Sequence, residues 1–490
     1  MQWYGWAHDD PVDPLPPSVP PMNDDDLCFT PATDLVRMIR NRTVSPVEIL
    51  QATIARAEAL DPRLNAICTP TFETAMADAR AAEAAVMRGA HLGLLHGIPT
   101  TIKDLALTRG VRTMGGSNLF RDRVPAIDHA HVESLREAGA ILIGKTTVPE
   151  LGWKGNGDSP VTGITHNPWK HGMNAGGSSA GAAVCAAAGI GPLHQGSDGA
   201  GSIRMPAAFC GVFGMKPSYG RIPYWPMPNN GSISHVGPIT RTVADGALML
   251  QAMAGPDDRD FASLESQPED FIGQLHEGIK GLKVAYSPDL GYLTVDAEVA
   301  ARVESAARAF EELGCSVEIV NPGWGDPIAL EHVLFSSGYA GMIGPILDEW
   351  ADRLDPGLVA LTRHGLEYSA GDYCRAQGER LQYYDKVHAF FQRYDLLLTP
   401  SLSVAAFDAT RLIPEHWEQH PWDWLRWAGF SYPFNLTWLP AASCPCGFTS
   451  DGRPVGIQIV AGRFQDLRVL QASRAFELAR PWAQVRPVLQ

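Results

Sequence analysis

Residues 174–206 read NAGGSSAGAAVCAAAGIGPLHQGSDGAGSIRMP. Two serine-bearing glycine loops lie here, Gly176-Gly177-Ser178-Ser179-Ala180-Gly181 and Gly196-Ser197-Asp198-Gly199-Ala200-Gly201-Ser202. Between them Ala182 to Ala188 is almost all alanine, which predicts a helix. Such a helix has little side-chain bulk and can pack tightly under other elements. The glycines permit unusual backbone angles and let a ligand approach the main chain. Consecutive N–H groups in such loops can hold negative charge. A serine hydroxyl beside them is the equipment of acyl transfer: a nucleophile next to donors for an oxyanion.

A serine nucleophile needs a proton acceptor. Upstream the chain reads Gly97-Ile98-Pro99-Thr100-Thr101-Ile102-Lys103-Asp104. Lys103 ends an apolar run that predicts a buried strand. Burial disfavours the charged form of lysine, so Lys103 is a candidate base near neutral pH.

Outward from these segments the chain alternates. Helices are predicted over Thr33–Arg40, Pro46–Leu60 (Ser45 and Glu48 forming a capping box), Phe72–Arg88 and Val132–Ala138, with a strand over Ala140–Gly144. Residues 209–223 read as turn-rich. A helix at Val243–Ala254 is followed by a βαβ unit: strands Leu282–Tyr286 and Cys315–Val320 around a helix at Ala297–Leu313. Helices fill 327–393, then come a strand at Leu396–Pro400, a turn at Ser450-Asp451-Gly452, a strand at Val455–Val460 and a helix at Asp466–Leu478. This alternation predicts an α/β fold with a sheet covered by helices.

The 490 residues, 45% of them hydrophobic, suffice for one large α/β domain or two to three smaller ones. A formal net charge of −15 argues against a nucleic-acid partner, which requires a positive surface. The eight cysteines do not form a disulfide pattern, and Cys444-Pro445-Cys446 lacks the second pair of a zinc site. Residues 1–27, rich in proline and aspartate, read as an extension that touches the surface through Trp3, Tyr4 and Trp6 or stays mobile. It has no signal-peptide pattern, and no apolar run spans a membrane, so a cytoplasmic protein is expected. Residues 415–440 concentrate Trp417, Trp422, Trp424, Trp427 and Trp438 with Phe430, Tyr432 and Phe434. They are expected to divide between core and the wall of a pocket.

Neither serine loop ends in the G-K-[ST] of a phosphate loop. Gly177-Ser178-Ser179-Ala180-Gly181 matches G-x-S-x-G literally, but a nucleophile elbow needs a strand before it, and Asn167 to Asn174 reads as loop. The combination GIPTTIKD, GGSSAG and GSDGAGSIRMPAAFCGVFGMKPSYGRI instead resembles the amidase signature family. Similarity extends over about 32–485 and returns at Pro433-Phe434-Asn435-Leu436-Thr437 and Pro454-Val455-Gly456-Ile457-Gln458. The resemblance implies one large domain, residues 28–490, with a central mixed β-sheet flanked by helices on both faces. It implies a serine–serine–lysine triad: Lys103 as base, Ser178 as the bridging serine on a cis peptide bond, and Ser202 as nucleophile. Main-chain N–H groups of Gly199, Ala200, Gly201 and Ser202 would hold the oxyanion. Ser179 and Asp198 would support the triad, and Gly152, after Thr147-Val148-Pro149-Glu150-Leu151, would line the acyl site. Arg204 reads as a structural charge partner. His166, His171 and His194 receive no catalytic role. The implied substrate is a small-molecule amide, with no metal or organic cofactor, and a homodimer is compatible with the sequence. Alternatives within the family are a carbamate or oligoamide hydrolase, and one component of an amidotransferase that works on aminoacyl-tRNA together with partner subunits. Three departures from the usual pattern alter the pocket edge: Ala180 in GGSSAG, Gly199-Ala200 in D-G-A-G-S, and Trp438 where glycine usually follows N-L-T.

Overall fold

The computed structural model describes residues 23–265 and 268–489. The expectation for Trp3, Tyr4 and Trp6 lies outside the described residues. The strands are β1 (Ile67–Pro70), β2 (Pro99–Lys103), β3 (Ile141–Thr146), β4 (Asp158–Ser159), β5 (Gly163–Ile164), β6 (Leu193–Asp198), β7 (Phe213–Lys216), β8 (His235–Thr240), β9 (Lys283–Tyr286), β10 (Ser316–Ile319), β11 (Leu396–Pro400), β12 (Ala441–Phe448) and β13 (Pro454–Ala461). Eleven of them form one sheet, in the order β1-β3-β2-β6-β8-β7-β12-β13-β11-β9-β10, while β4 and β5 pair separately. The sheet is mixed. β3, β2 and β6 run parallel, as do β11, β9 and β10, and the strands between these groups pair antiparallel. The predicted α/β class and mixed sheet are therefore observed, including the βαβ unit of β9, helix Ala297–Glu312 and β10.

Strand periodicity assigns the two faces. Successive side chains point to opposite sides. On β9, β11 and β13, Val284, Leu398 and Ile459 join one core, built with Val243–Met253 and Asp466–Ala479. Their neighbours Ala285, Leu397 and Val460 join the opposite core, with Met205, Phe209, Trp424 and Trp427. On the N-terminal side Ile141, Ile143 and Ile239 pack with the alanine helix. Helices thus cover both faces.

The capping box forms as predicted, with Ser45 and Glu48 closing the N-terminus of Pro46–Leu64. The alanine helix runs Ala180–Ala188, and all nine residues are buried. Small side chains are required there: a Cβ on Gly181 would stand 2.2 Å from Ala66 O and 2.5 Å from Thr147 N.

Some elements escape the sequence reading. The turn-rich 209–223 region contains the end of a helix, Arg204–Cys210, and strand β7. Strands β1, β6, β8 and β12 were not expected either. The short helix Asp24–Phe29 buries Leu27 and Cys28, so the division placed at residue 27 runs through a helix.

Candidate active site

β2 and β6 are parallel neighbours, so their carboxyl ends lie at the same edge of the sheet. Ligand sites of open α/β sheets collect at such edges. Lys103 is the last residue of β2 and Asp198 the last of β6, and both are buried. Ile102 points into the core on one face; Lys103, next in the strand, points to the other, toward the alanine helix.

Lys103 Nζ lies 2.8 Å from Ser178 Oγ and donates to Ser197 O at 3.0 Å. Gln195 Oε1 accepts from Lys103 N at 3.0 Å and so fixes the backbone of the lysine. Burial lowers the lysine pKa from 10.5 to about 7, with the Asp198 charge opposing the fall.

The peptide bond between Gly177 and Ser178 is cis, as the resemblance implies for the bridging serine. Ser179, which follows, opens the alanine helix. Its N–H donates to Ser202 O at 3.1 Å and its Oγ to Ser197 O at 3.2 Å. The first loop is thereby tied to the second. Gly152 closes over the pair: a Cβ there would lie 3.3 Å from Ser178 Oγ and 2.8 Å from Leu105 Cδ1. Ser202 is 6% exposed. Among the described residues no hydrogen bond links Ser202 Oγ to Ser178.

The second loop is shaped by one carboxylate. Asp198 Oδ1 accepts from Gly201 N at 2.7 Å, and Oδ2 from Ile203 N at 3.1 Å. The Gly201 N–H is therefore engaged by the Asp198 carboxylate. The N–H groups of Gly199, Ala200 and Ser202 have no acceptor among the described residues, though Ala200 and Ser202 are buried. Buried donors of this kind call for a partner, and an anion would supply one.

Asp198 is held by Arg204 in a two-pronged pair, Nε to Oδ2 at 3.0 Å and Nη2 to Oδ1 at 2.9 Å, with both side chains fully buried. Burial pushes the Asp198 pKa up, but Arg204, Lys216 and Asn435 outweigh it and hold the carboxyl well below its ordinary value. Arg204 is thus structural, as expected. Asn435 Nδ2 reaches Asp198 O at 2.9 Å and Ile233 O at 3.1 Å. Sequence reasoning noted Asn435 inside a similar segment without giving it a task, and gave Gln195 none. His194 is buried between Thr101 and Gly191, away from the serines' hydrogen bonds. His166 and His171 stack on each other at 3.9 Å.

In the aromatic segment Trp424, Trp427, Phe430, Tyr432 and Phe434 are core residues, while Trp417, Trp422 and Trp438 are half-buried. Trp424 Nε1 donates to Trp153 O at 2.8 Å, and Trp427 stacks on Phe209 at 5.8 Å. Most of these rings cover the core behind the site.

The Amidase family pattern matches residues 48–470. An acylamidase of Rhodococcus erythropolis is 39% identical over 476 residues, covering 95% of this chain and 98% of that protein. One of the subunits of the glutamyl-tRNA(Gln) amidotransferase of Synechococcus sp. (strain CC9902) is 35% identical, covering 92% of this chain and 96% of its own. The crystal structure of a bacterial aryl acylamidase of the amidase signature family superposes with a TM-score of 0.87 at 32% identity, over 93% of this chain and 97% of the other. With that extent of match in sequence and in fold, the chain belongs to the amidase signature family, hydrolases that act on amide C–N bonds.

Proposed function

We propose that the protein is a stand-alone amidase that cleaves a carboxylic amide with an apolar or aromatic acyl or amine part through a Ser202 acyl-enzyme. The observation that carries the triad is the 2.8 Å approach of a fully buried lysine, its pKa brought to about 7, to Ser178 Oγ. Neutral Lys103 takes the Ser178 proton while Ser178 takes that of Ser202. Ser202 Oγ bonds to the amide carbon. The tetrahedral oxyanion rests on the free N–H groups of Gly199, Ala200 and Ser202; one such donor is typically worth ~3 kcal/mol in the transition state. The relay returns the proton to the leaving nitrogen, which departs as amine. Water then attacks the acyl carbon by the same route and regenerates Ser202.

The acylamidase relative and the aryl acylamidase structure support the apolar or aromatic preference. The amidotransferase relatives favour a second reading, one component of a larger assembly that works on charged tRNA. A net charge of −15 weighs against a polyanionic partner. The test is turnover by the protein purified alone, over aryl, alkyl and carbamate substrates, with fluorophosphonate capture. Hydrolysis and labelling that both vanish in Ser202→Ala support the reading. Activity that appears only with added partner proteins and tRNA refutes it.

A further inference from the structure

Trp438 has a backbone φ of 61°, in the left-handed region that glycine adopts freely and a tryptophan rarely does. Its indole lies beneath the Arg380 guanidinium, 4.2 Å from ring centre, with Arg463 at 5.6 Å. The indole Nε1–H donates to Ser232 O at 3.0 Å. Arg380 donates to Ser232 Oγ at 2.7 Å and to Ser232 O at 3.2 Å. It is anchored in turn by Leu436 O at 2.6 Å and Asn435 O at 3.2 Å. Two side chains from separate elements therefore grip one residue of a short segment.

That segment, residues 229–234, walls a cavity of about 480 Å³, lined also by Ser337 and Gln377. Asn230 joins the cavity to the second serine loop. Its Nδ2 is 3.7 Å from the place of a Cβ on Gly199, and its Oδ1 is 2.4 Å from that of a Cβ on Gly338. The lining offers amides and hydroxyls beside the apolar Ile233, Leu334 and Met342. The Arg380 guanidinium is already taken by backbone and by Ser232, which disfavours an anionic occupant.

We propose that Trp438 is a positioning residue for substrate choice: with Arg380 it holds segment 229–234 as the wall of a pocket beside Gly199, and the amides and hydroxyls of that pocket take an uncharged hydrogen-bonding group of the substrate. The proposal rests on the amide-hydrolysis reading above. Trp438→Gly suits the backbone angle, so the variant is expected to fold. In it, KM for 4-hydroxyacetanilide rises about ten-fold with kcat within about two-fold, while KM for acetanilide moves less than about three-fold. Trp438→Phe, which keeps a ring beneath Arg380 but loses the N–H, falls between. Hydrogen exchange at residues 229–234 quickens in Trp438→Gly while that of β2 and β6 is unchanged. Equal changes for both anilides, a fall confined to kcat, or unaltered exchange at 229–234 overturns the proposal. The exchange measurement needs no turnover. If the wild-type protein hydrolyses no aryl or alkyl amide, the amide reading is what fails, and exchange still decides the clamp.

Discussion

Lys103 is the base of the proposed relay, and its burial has a measurable consequence for stability. The unfolded chain holds the lysine proton up to about pH 10.5, and the folded chain releases it near 7. Between those values the unfolded state binds more protons, so stability rises with pH there, by about 1.4 kcal/mol per unit from this group. Below pH 7 both states are protonated and the penalty is complete. In Lys103→Met, which has no such group, denaturant titrations should give an advantage over wild type that is largest below pH 7 and shrinks at that slope toward pH 10. A difference independent of pH would mean that the amine is not held neutral. The same pKa sets the activity profile. kcat/KM should climb through an acidic limb near pH 7, and Lys103→Ala should abolish it; an unchanged profile in that variant removes Lys103 as base. At this scale the sequence was informative. An IKD run ending a strand and the first glycine–serine loop singled out Lys103 and Ser178, which stand 2.8 Å apart. The engaged Gly201 N–H was not legible, because it depends on where the Asp198 carboxylate points.

The alanine helix Ala180–Ala188 and the arginine helix Arg204–Cys210 are the elements that carry the serine loops. Composition predicted the first, since alanine favours helix and the flanking glycines end it. The second was hidden by Pro206 and by the glycines that follow. Its burial gives a stringent fit, and so does that of the first. Gly181→Ala would drive a methyl into Ala66 O and Thr147 N, both backbone atoms that cannot rotate away. The expected loss of stability is about 1–3 kcal/mol or more, with kcat falling because the Ser178-Ser179 turn moves with the helix. Wild-type melting and turnover in this variant would show the helix to be loosely seated. The missed strands share a physical cause. β6 reads LHQGSD and is buried along its whole length. β8 contains Pro238 and β12 contains Pro445 beside a register shift. On β6 the polar side chains find side-chain partners, Thr101 on His194 and Asn435 on Asp198, so hydrophobic alternation is erased where the site is built.

Across the whole molecule, the sheet falls into two halves that follow chain order. Strands of residues 67–240 lie on one side and those of 283–461 on the other, and the β7–β12 pairing joins them. One ladder is a narrow seam for a sheet of this width, and buried polar groups reinforce it. Arg204, from the first half, donates to Ser431 O at 2.9 Å, Gln458 Oε1 at 2.8 Å and Asn435 Oδ1 at 2.6 Å in the second. Asp466 accepts from Ser218 N at 2.6 Å and from Arg221 Nε at 3.1 Å. The loop Gly199–Ser202 sits between Asp198 and Arg204, at this seam. The halves should therefore unfold together, in one calorimetric transition that coincides with loss of activity. Arg204→Met leaves Asp198 a buried charge without its partner and removes three bonds across the seam. Breaking such a pair costs about 3–5 kcal/mol. The expected trace for that variant is a lower and broader endotherm that resolves into two, with activity lost at the first. A single sharp transition at the wild-type temperature would mean that β7 and β12 alone unite the halves and that Arg204 serves only to shape the loop.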